Sequence, residues 1–154
     1  MSKGMARLGW ILFFIMTLIT AVMAWKFIYA GKTELAADNR KALILEDFEK
    51  DFLLAEMRGF LNSVHQIVDG IEKDNMEQIT KVAKDSGFSD VANVPASLRG
   101  KLPLEMKKMG FSVHRAFDQM ALDAKQLGDK EHTLSQLNEI LATCTACHAL
   151  YRVR

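Results

Sequence analysis

Apolar and polar positions follow two different rhythms along this chain, and the change between them divides it. From Leu8 to Trp25 no residue carries a charge. Lys26 can lay its alkyl stem along apolar surface while its ammonium stays in water, so the run extends through Phe27, Ile28, Tyr29 and Ala30. A helix needs about 20 such residues to cross the hydrocarbon core of a bilayer. Trp10 and Trp25, both tryptophans of the chain, bracket the run with Tyr29 beside the second, as aromatic belts at two interfaces would. A cleaved signal peptide is the competing account. The run, however, outlasts an h-region of about 7–15 residues, and no clean A-x-A site follows it. The expectation is an uncleaved anchor over residues 1–32, membrane-embedded through Leu8 to Ala30.

Beyond it the apolar positions fall at steps of three and four, the period of a helix with one buried face. Ala36–Ile71 reads as a long first helix, with Leu53, Met57, Phe60, Leu61, Val64, Val68 and Ile71 along its stripe. Asp74 and Asn75 signal a new start, Gln78 stands in the capping-box position, and Met76–Lys84 forms a shorter helix stopped at Gly87. Phe88–Leu102, with Pro95 and Gly100, lacks sustained periodicity and is the one long connection. Pro103 suits the first position of a third helix, whose face is Met109, Val113, Phe117, Met120, Ala124 and Leu127 and whose end is Gly128. The last helix starts near Lys130 or Thr133 and carries Leu137, Leu141, Cys144, His148 and Tyr151 on one stripe. No segment alternates as a strand does, and no repeat is visible. The predicted fold is all-α: an antiparallel four-helix bundle over 33–154, preceded by one N-terminal transmembrane helix.

Charge narrows the partners. Four of the twenty basic residues lie at or before Lys32 and none of the nineteen acidic ones does, so the remaining domain holds sixteen basic against nineteen acidic groups. A mildly acidic domain does not suit a polyanion, and nucleic acid is not an expected partner. The two cysteines, three residues apart near the C-terminal end, cannot staple distant loops. No nucleophile and base stand out as a pair, so an enzyme active site is not expected.

Those cysteines open Cys144-Thr-Ala-Cys147-His148, the CxxCH signature of covalent haem attachment. On a helix Cys144 and His148 lie one turn apart on one face with Cys147 beside them. Two thioether bonds can therefore hold a porphyrin edge while an imidazole nitrogen reaches the iron. The alternatives are a thioredoxin-type dithiol, which should open a helix after a strand, or half of a zinc site, for which only His65, His114 and His132 remain as partners. Haem c, one per chain, is the expected cofactor, with His148 as proximal iron ligand. Because covalent haem attachment to a bacterial chain takes place outside the cytoplasmic membrane, the domain is expected in the periplasm and the N-terminus in the cytoplasm. The charges flanking the span, Lys3 and Arg7 against Lys26, Lys32, Arg40 and Lys41, do not decide this by themselves.

With its motif extended to CTACHALYR in the last of four helices, the stretch from about Leu43 to Arg152 resembles the class II c-type cytochromes, the cytochrome c′ family. Leu102–Gly110 and Phe117-Asp118 are similar to the way that family's third helix is often written. The anchor is a departure, since typical members are soluble periplasmic proteins. The resemblance implies that low-spin members set a methionine of the first helix against the iron, where five-coordinate members have an apolar residue.

Met57, on the inward stripe of the first helix, is the candidate for that distal position; core filling is its other explanation in a chain with nine methionines. Phe60 and Phe117 are candidate haem walls or plain core aromatics. Arg152 and Arg58 are candidate partners for haem propionates, Arg58 reading more simply as a solvated residue. His65 and His114 are not expected to ligate. Arg99, Lys101, Lys107 and Lys108 form a basic cluster that can steer an acidic redox partner or simply be a solvated helix end. The function expected is outer-sphere electron transfer by a membrane-anchored monohaem cytochrome, serving a respiratory or photosynthetic membrane complex or other periplasmic carriers. It can be a homodimer or a subunit of a larger assembly. The rival functions are a five-coordinate haem that binds nitric oxide or carbon monoxide, and a structural haem subunit.

Overall fold

The computed structural model describes residues 3–88 and 93–154, with backbone alone at Lys3, Met5 and Ala6. The apolar run folds as α1 (Lys3–Ala24), which passes directly into a π-helical stretch, Trp25–Ala30. Arg7–Ala30 is a candidate membrane span of 24 residues, and its most apolar part buries nothing against the rest of the chain. At about 1.5 Å per residue such a helix reaches ~36 Å, against a hydrocarbon core of ~30 Å. Its two hydroxyls cost little in lipid, because Thr17 and Thr20 donate back to the carbonyls of Phe13 and Met16, each at 2.9 Å. Trp25 and Tyr29 stack with centroids 4.5 Å apart.

Beyond the span the domain departs from the all-helical expectation. Residues 36–46 are not helical; β1 (Thr33–Leu35) pairs antiparallel with β2 (Lys41–Leu43), and β2 pairs parallel with β3 (Tyr151–Val153) at the other end of the chain. Three-residue strands are too short to show alternation, and the alanines and leucines of this segment favour helix by composition. Tertiary pairing overrides that preference here. Ala42 and Leu43 are buried at 3% and 0% exposure, which holds the small sheet on the domain.

The first long helix, α2 (Asp47–Glu72), therefore starts eleven residues later than its periodicity suggests. Its start is fixed by Glu49, whose carboxylate accepts from the Glu46 amide at 2.9 Å. α3 (Met76–Asp85) begins as expected at Asn75, whose side chain accepts from the Gln78 amide at 3.0 Å. Gln78 does not close the capping box: its amide group reaches the Gln66 carbonyl and Asp69 on α2, at 2.8 and 3.1 Å. Within the expected long connection, Ser89–Ala92 lie outside the described residues, and Ala96–Lys101 forms a short helix, α4, pinned by buried Leu98. α5 (Leu104–Leu127) follows Pro103 and ends at Gly128, whose φ of 62° suits a left-handed C-cap. α6 (Lys130–Leu150) is capped by Asp129, which accepts from the amides of Glu131 and His132.

The four longer helices of the domain pack in a closed order, α2 on α3, α3 on α5, α5 on α6 and α6 on α2. Gly70 permits the α2–α3 approach, since a Cβ there would meet Ile79 Cγ1 at 2.6 Å. The core they enclose contains Ile67, Ile79, Val113, Phe117, Met120, Leu137 and Ile140. Two expected stripes are rotated relative to it. On α2, Ile67 is fully buried whereas Leu61 and Val68 are 71% and 48% exposed. On α6, Thr133, Leu137 and Ile140 face inward, Cys144 is half-buried, and Leu141 and His148 are exposed. Tyr151 is buried, but as the first residue of β3 rather than as part of the helix. On α5 the expected face holds except at Leu127, which is exposed.

Candidate functional site

Where α2, α4, α5, α6 and the sheet meet, they enclose an open cavity of about 680 Å³, within the range of about 300–1,000 Å³ usual for small-molecule and cofactor sites. Cys144, Cys147 and His148 line it from the last two turns of α6, and Met57 lines it from α2. The motif and the methionine, some ninety positions apart in sequence, therefore converge on one space. Phe60 also lines the cavity. Behind it lies Phe117, stacked on Phe60 at 5.6 Å and fully buried, so Phe117 belongs to the core rather than to the wall.

Most of the remaining surface is apolar, from Leu53, Leu54, Leu98, Met106, Met109 and Phe111. Such a lining excludes water, and its effect on the thiols is direct. Burial pushes the Cys144 and Cys147 thiols up, with the nearby Cys144 adding to the effect at Cys147. A working dithiol needs one cysteine lowered, usually at a helix N-terminus, whereas this pair stands at the C-terminal end of α6, where the helix dipole disfavours a thiolate. Among the described residues no three His, Cys, Asp or Glu side chains gather as a metal-holding group; of the histidines considered for a zinc site, His114 shares the cavity with the thiols while His65 and His132 do not line it. The donor set facing the cavity is two neutral thiols, one imidazole and one thioether, and it fits a thioether-linked haem with a histidine and a methionine toward the iron.

One polar cluster sits on the wall. His114, 6% exposed, hydrogen-bonds through Nδ1 with the carbonyls of Ser86 and Gly87, at 2.9 and 3.1 Å, while Nε2 lies 3.3 Å from Glu56 Oε1. Burial opposes a charge on this ring, but the Glu56 carboxylate and the two carbonyls outweigh it and raise its pKa above 6.5. With both nitrogens occupied, His114 is a fixed wall residue, packed 5.1 Å from Phe60.

The mouth near the sheet is cationic. Arg152 lines the cavity, with its guanidinium 3.2 Å from Asp38 Oδ2. Arg40 lines it too, grips Asp38 through Nε and Nη2 at 2.9 and 2.8 Å, and donates from Nη1 to the His148 carbonyl at 3.2 Å. The hydrogen bonds from Arg40, reinforced by the charge of Arg152, hold the Asp38 carboxyl below the usual carboxylate range. Arg40 gives no signal in the sequence because its segment has the composition of plain helix. Arg58 and His65 are exposed and do not line the cavity.

The expected basic cluster resolves into separate roles. Lys101 lies 2.6 Å from the buried carboxylate of Glu49 and 3.5 Å from Glu46. Burial pushes Glu49 upward, yet the Lys101 ammonium, the Glu46 amide and Ser97 overcome it and lower its pKa. Lys108 pairs along its helix with Glu105 at 3.4 Å. Lys107 lines the cavity and lies 3.5 Å from the carbonyls of Phe27 and Ile28, at the end of the apolar helix. Arg99 remains exposed at the cavity rim. Compared with known proteins, the chain matches no family model, no curated protein and no solved structure.

Proposed function

We propose that this chain is a membrane-anchored monohaem c-type cytochrome, built as a four-helix bundle of α2, α3, α5 and α6 and related in design to the class II c-type cytochromes. It carries electrons by outer-sphere transfer and is not an enzyme. The observation that carries the reading is the convergence of Cys144, Cys147, His148 and Met57 on one cavity of suitable size. A bound haem supplies a one-electron change at its iron. The chain's own residues do the rest. Cys144 and Cys147 fix the porphyrin edge by thioethers, and His148 and Met57 hold the metal through both oxidation states, a pairing that raises reduction potential. Phe60 and the leucines keep water from the metal's surroundings, which favours the less charged state of the site. Arg152 and Arg40 offer guanidinium forks to propionates at the mouth.

The closed packing order of the four helices supports the bundle. The 24-residue apolar helix supports a single-pass membrane anchor. An N-terminus inside a bacterial cytoplasmic membrane and a haem domain in the periplasm belong to the same reading, because covalent haem attachment takes place outside that membrane. Its partners are then a membrane redox complex or other periplasmic carriers, reached at the raised effective concentration that a common membrane provides. Visible spectra of the oxidised and reduced full-length protein, with and without carbon monoxide, test the site. A covalently retained haem with low-spin spectra and no carbon monoxide uptake is expected. Haem lost on acid extraction overturns the attachment. A high-spin spectrum with ready carbon monoxide binding replaces Met57 ligation with the gas-binding reading.

A further inference from the structure

The residues that follow the span are tied to the domain rather than free of it. Gly31, at φ 66°, lies against the α4–α5 corner so closely that a Cβ there would meet Lys101 O at 2.5 Å, Pro103 N at 2.6 Å and the Leu102 carbonyl carbon at 2.8 Å. All three are backbone atoms, which cannot turn aside. The next residue is bonded on both sides: the Lys32 amide donates to the Lys101 carbonyl at 2.7 Å, and its carbonyl accepts from the Ile44 amide at 3.0 Å. The helix that ends at Ala30 leaves carbonyls without partners of its own. Lys107 stands 3.5 Å from two of them, those of Phe27 and Ile28, and burial lowers its pKa. A cation there complements the negative end of the helix dipole. The span thus terminates on the wall of the candidate site, since Lys107, Leu102 and Arg99 also line the cavity.

We propose that the domain is mounted in a fixed orientation on the surface of the bilayer that α1 crosses, with the α4–α5 corner and the first turn of α2 seated on its phosphate layer. This rests on the anchor reading above. The seat is continuous with the span, and its side chains suit phosphates. Lys26, Lys32 and Arg99 are exposed there. Glu46 and Glu49 are engaged by Lys101 and Glu105 by Lys108, leaving Asp47 to oppose these cations in the first turn of α2. Phe48, in that same turn, is 58% exposed and matches the interfacial zone where aromatic rings collect. α5 starts at this corner and runs 24 residues, about 36 Å, so Leu127 lies at the end of that helix remote from the seat. The mounted domain holds one rim of the cavity at headgroup level, open to partners lying in the same membrane.

The experiment places a small fluorescent residue at Ile15, Phe48 or Leu127 of the full chain in phospholipid vesicles and measures quenching by headgroup-nitroxide lipid, acyl-chain-nitroxide lipid and aqueous iodide. Headgroup quenching at position 48 is expected to exceed that at 127 several-fold, with acyl-chain quenching at 15. Inserting Gly-Ser between Gly31 and Lys32 should release the domain and bring position 48 down to the level of 127, while position 15 stays protected. Gly31→Ala should act in the same direction. Equal headgroup quenching at 48 and 127 with position 15 protected overturns the mount and leaves the anchor standing. Iodide quenching at position 15 overturns the anchor itself, and the mount with it.

Discussion

Replacing Ile67 by alanine separates the packed core from the stripe that sequence periodicity suggests. Ile67 is fully buried on α2 among Ile79, Val82, Val113 and Phe117. Its truncation removes three carbons from that environment, a transfer loss of about 2.4 kcal/mol at ~0.8 kcal/mol per methylene. A cavity term of up to about 2 kcal/mol adds to this, because neighbours held by two other helices collapse only in part. The expected loss is about 3–4 kcal/mol, which lowers the Tm of a domain this size by roughly 10–15 °C. Leu61 supplies the control. It lies on the same helix and is equally hydrophobic, but at 71% exposure its replacement by alanine should cost no more than about 0.5 kcal/mol. Thermal unfolding of the detergent-solubilised full chain, followed by far-UV circular dichroism, reads both. Comparable losses in the two variants, or a larger one for Leu61→Ala, would refute the burial assignment of α2 and return the inward face to Leu61 and Val68.

Two pH dependences arise from buried titratable groups. The pKa of Glu49 is lowered from its ordinary 4.5, so its contribution to stability is fully present above that value and lost as pH falls through the depressed one. Tm should therefore fall on acidification below pH 4.5, and Glu49→Gln should flatten that limb. The pKa of His114 is raised from 6.5, so its contribution is fully present below that value and disappears as pH rises through the raised one. Tm should decline on the alkaline side of 6.5, and a variant His114→Gln that kept the wild-type slope there would exclude His114 as its source.

Much of the domain is legible because its helices obey local rules. Asn75, Pro103, Gly128 and Asp129 punctuate the chain where helix-capping chemistry says they should. The face of α5 is read correctly from Val113 to Ala124, since a helix packed along most of its length must keep a strict period. α2 is less legible because its turns from Lys50 to Phe60 face the open cavity and only its later turns meet the core. Apolar residues there need not fall on the core stripe, and the pattern blurs into two overlapping faces. For the same reason Leu53, Met57 and Phe60 read as one stripe with Leu61, although the first three line the cavity and the last is exposed.

The least legible element has the largest consequence for the site. β2 ends at Leu43, four residues before α2, the helix that carries Met57; β3 begins at Tyr151, three residues after His148. Their parallel pairing, Lys41 with Tyr151, Ala42 with Arg152 and Leu43 with Val153, ties the starting end of one candidate ligand helix to the finishing end of the other. The Arg154 amide extends the ladder to the Leu43 carbonyl at 3.2 Å, and Arg40 bridges Asp38 to the His148 carbonyl. Helix packing alone allows neighbouring helices to slide or roll at modest cost, whereas a backbone ladder fixes register to a single residue. The sheet therefore sets how far apart the two sides of the cavity stand at the mouth where Arg40 and Arg152 gather. A pairing between residues more than a hundred positions apart leaves no trace in local periodicity. CxxCH is visible in the sequence because its chemistry is local, while the device that spaces it from the facing helix emerges only when the two ends of the domain are brought together.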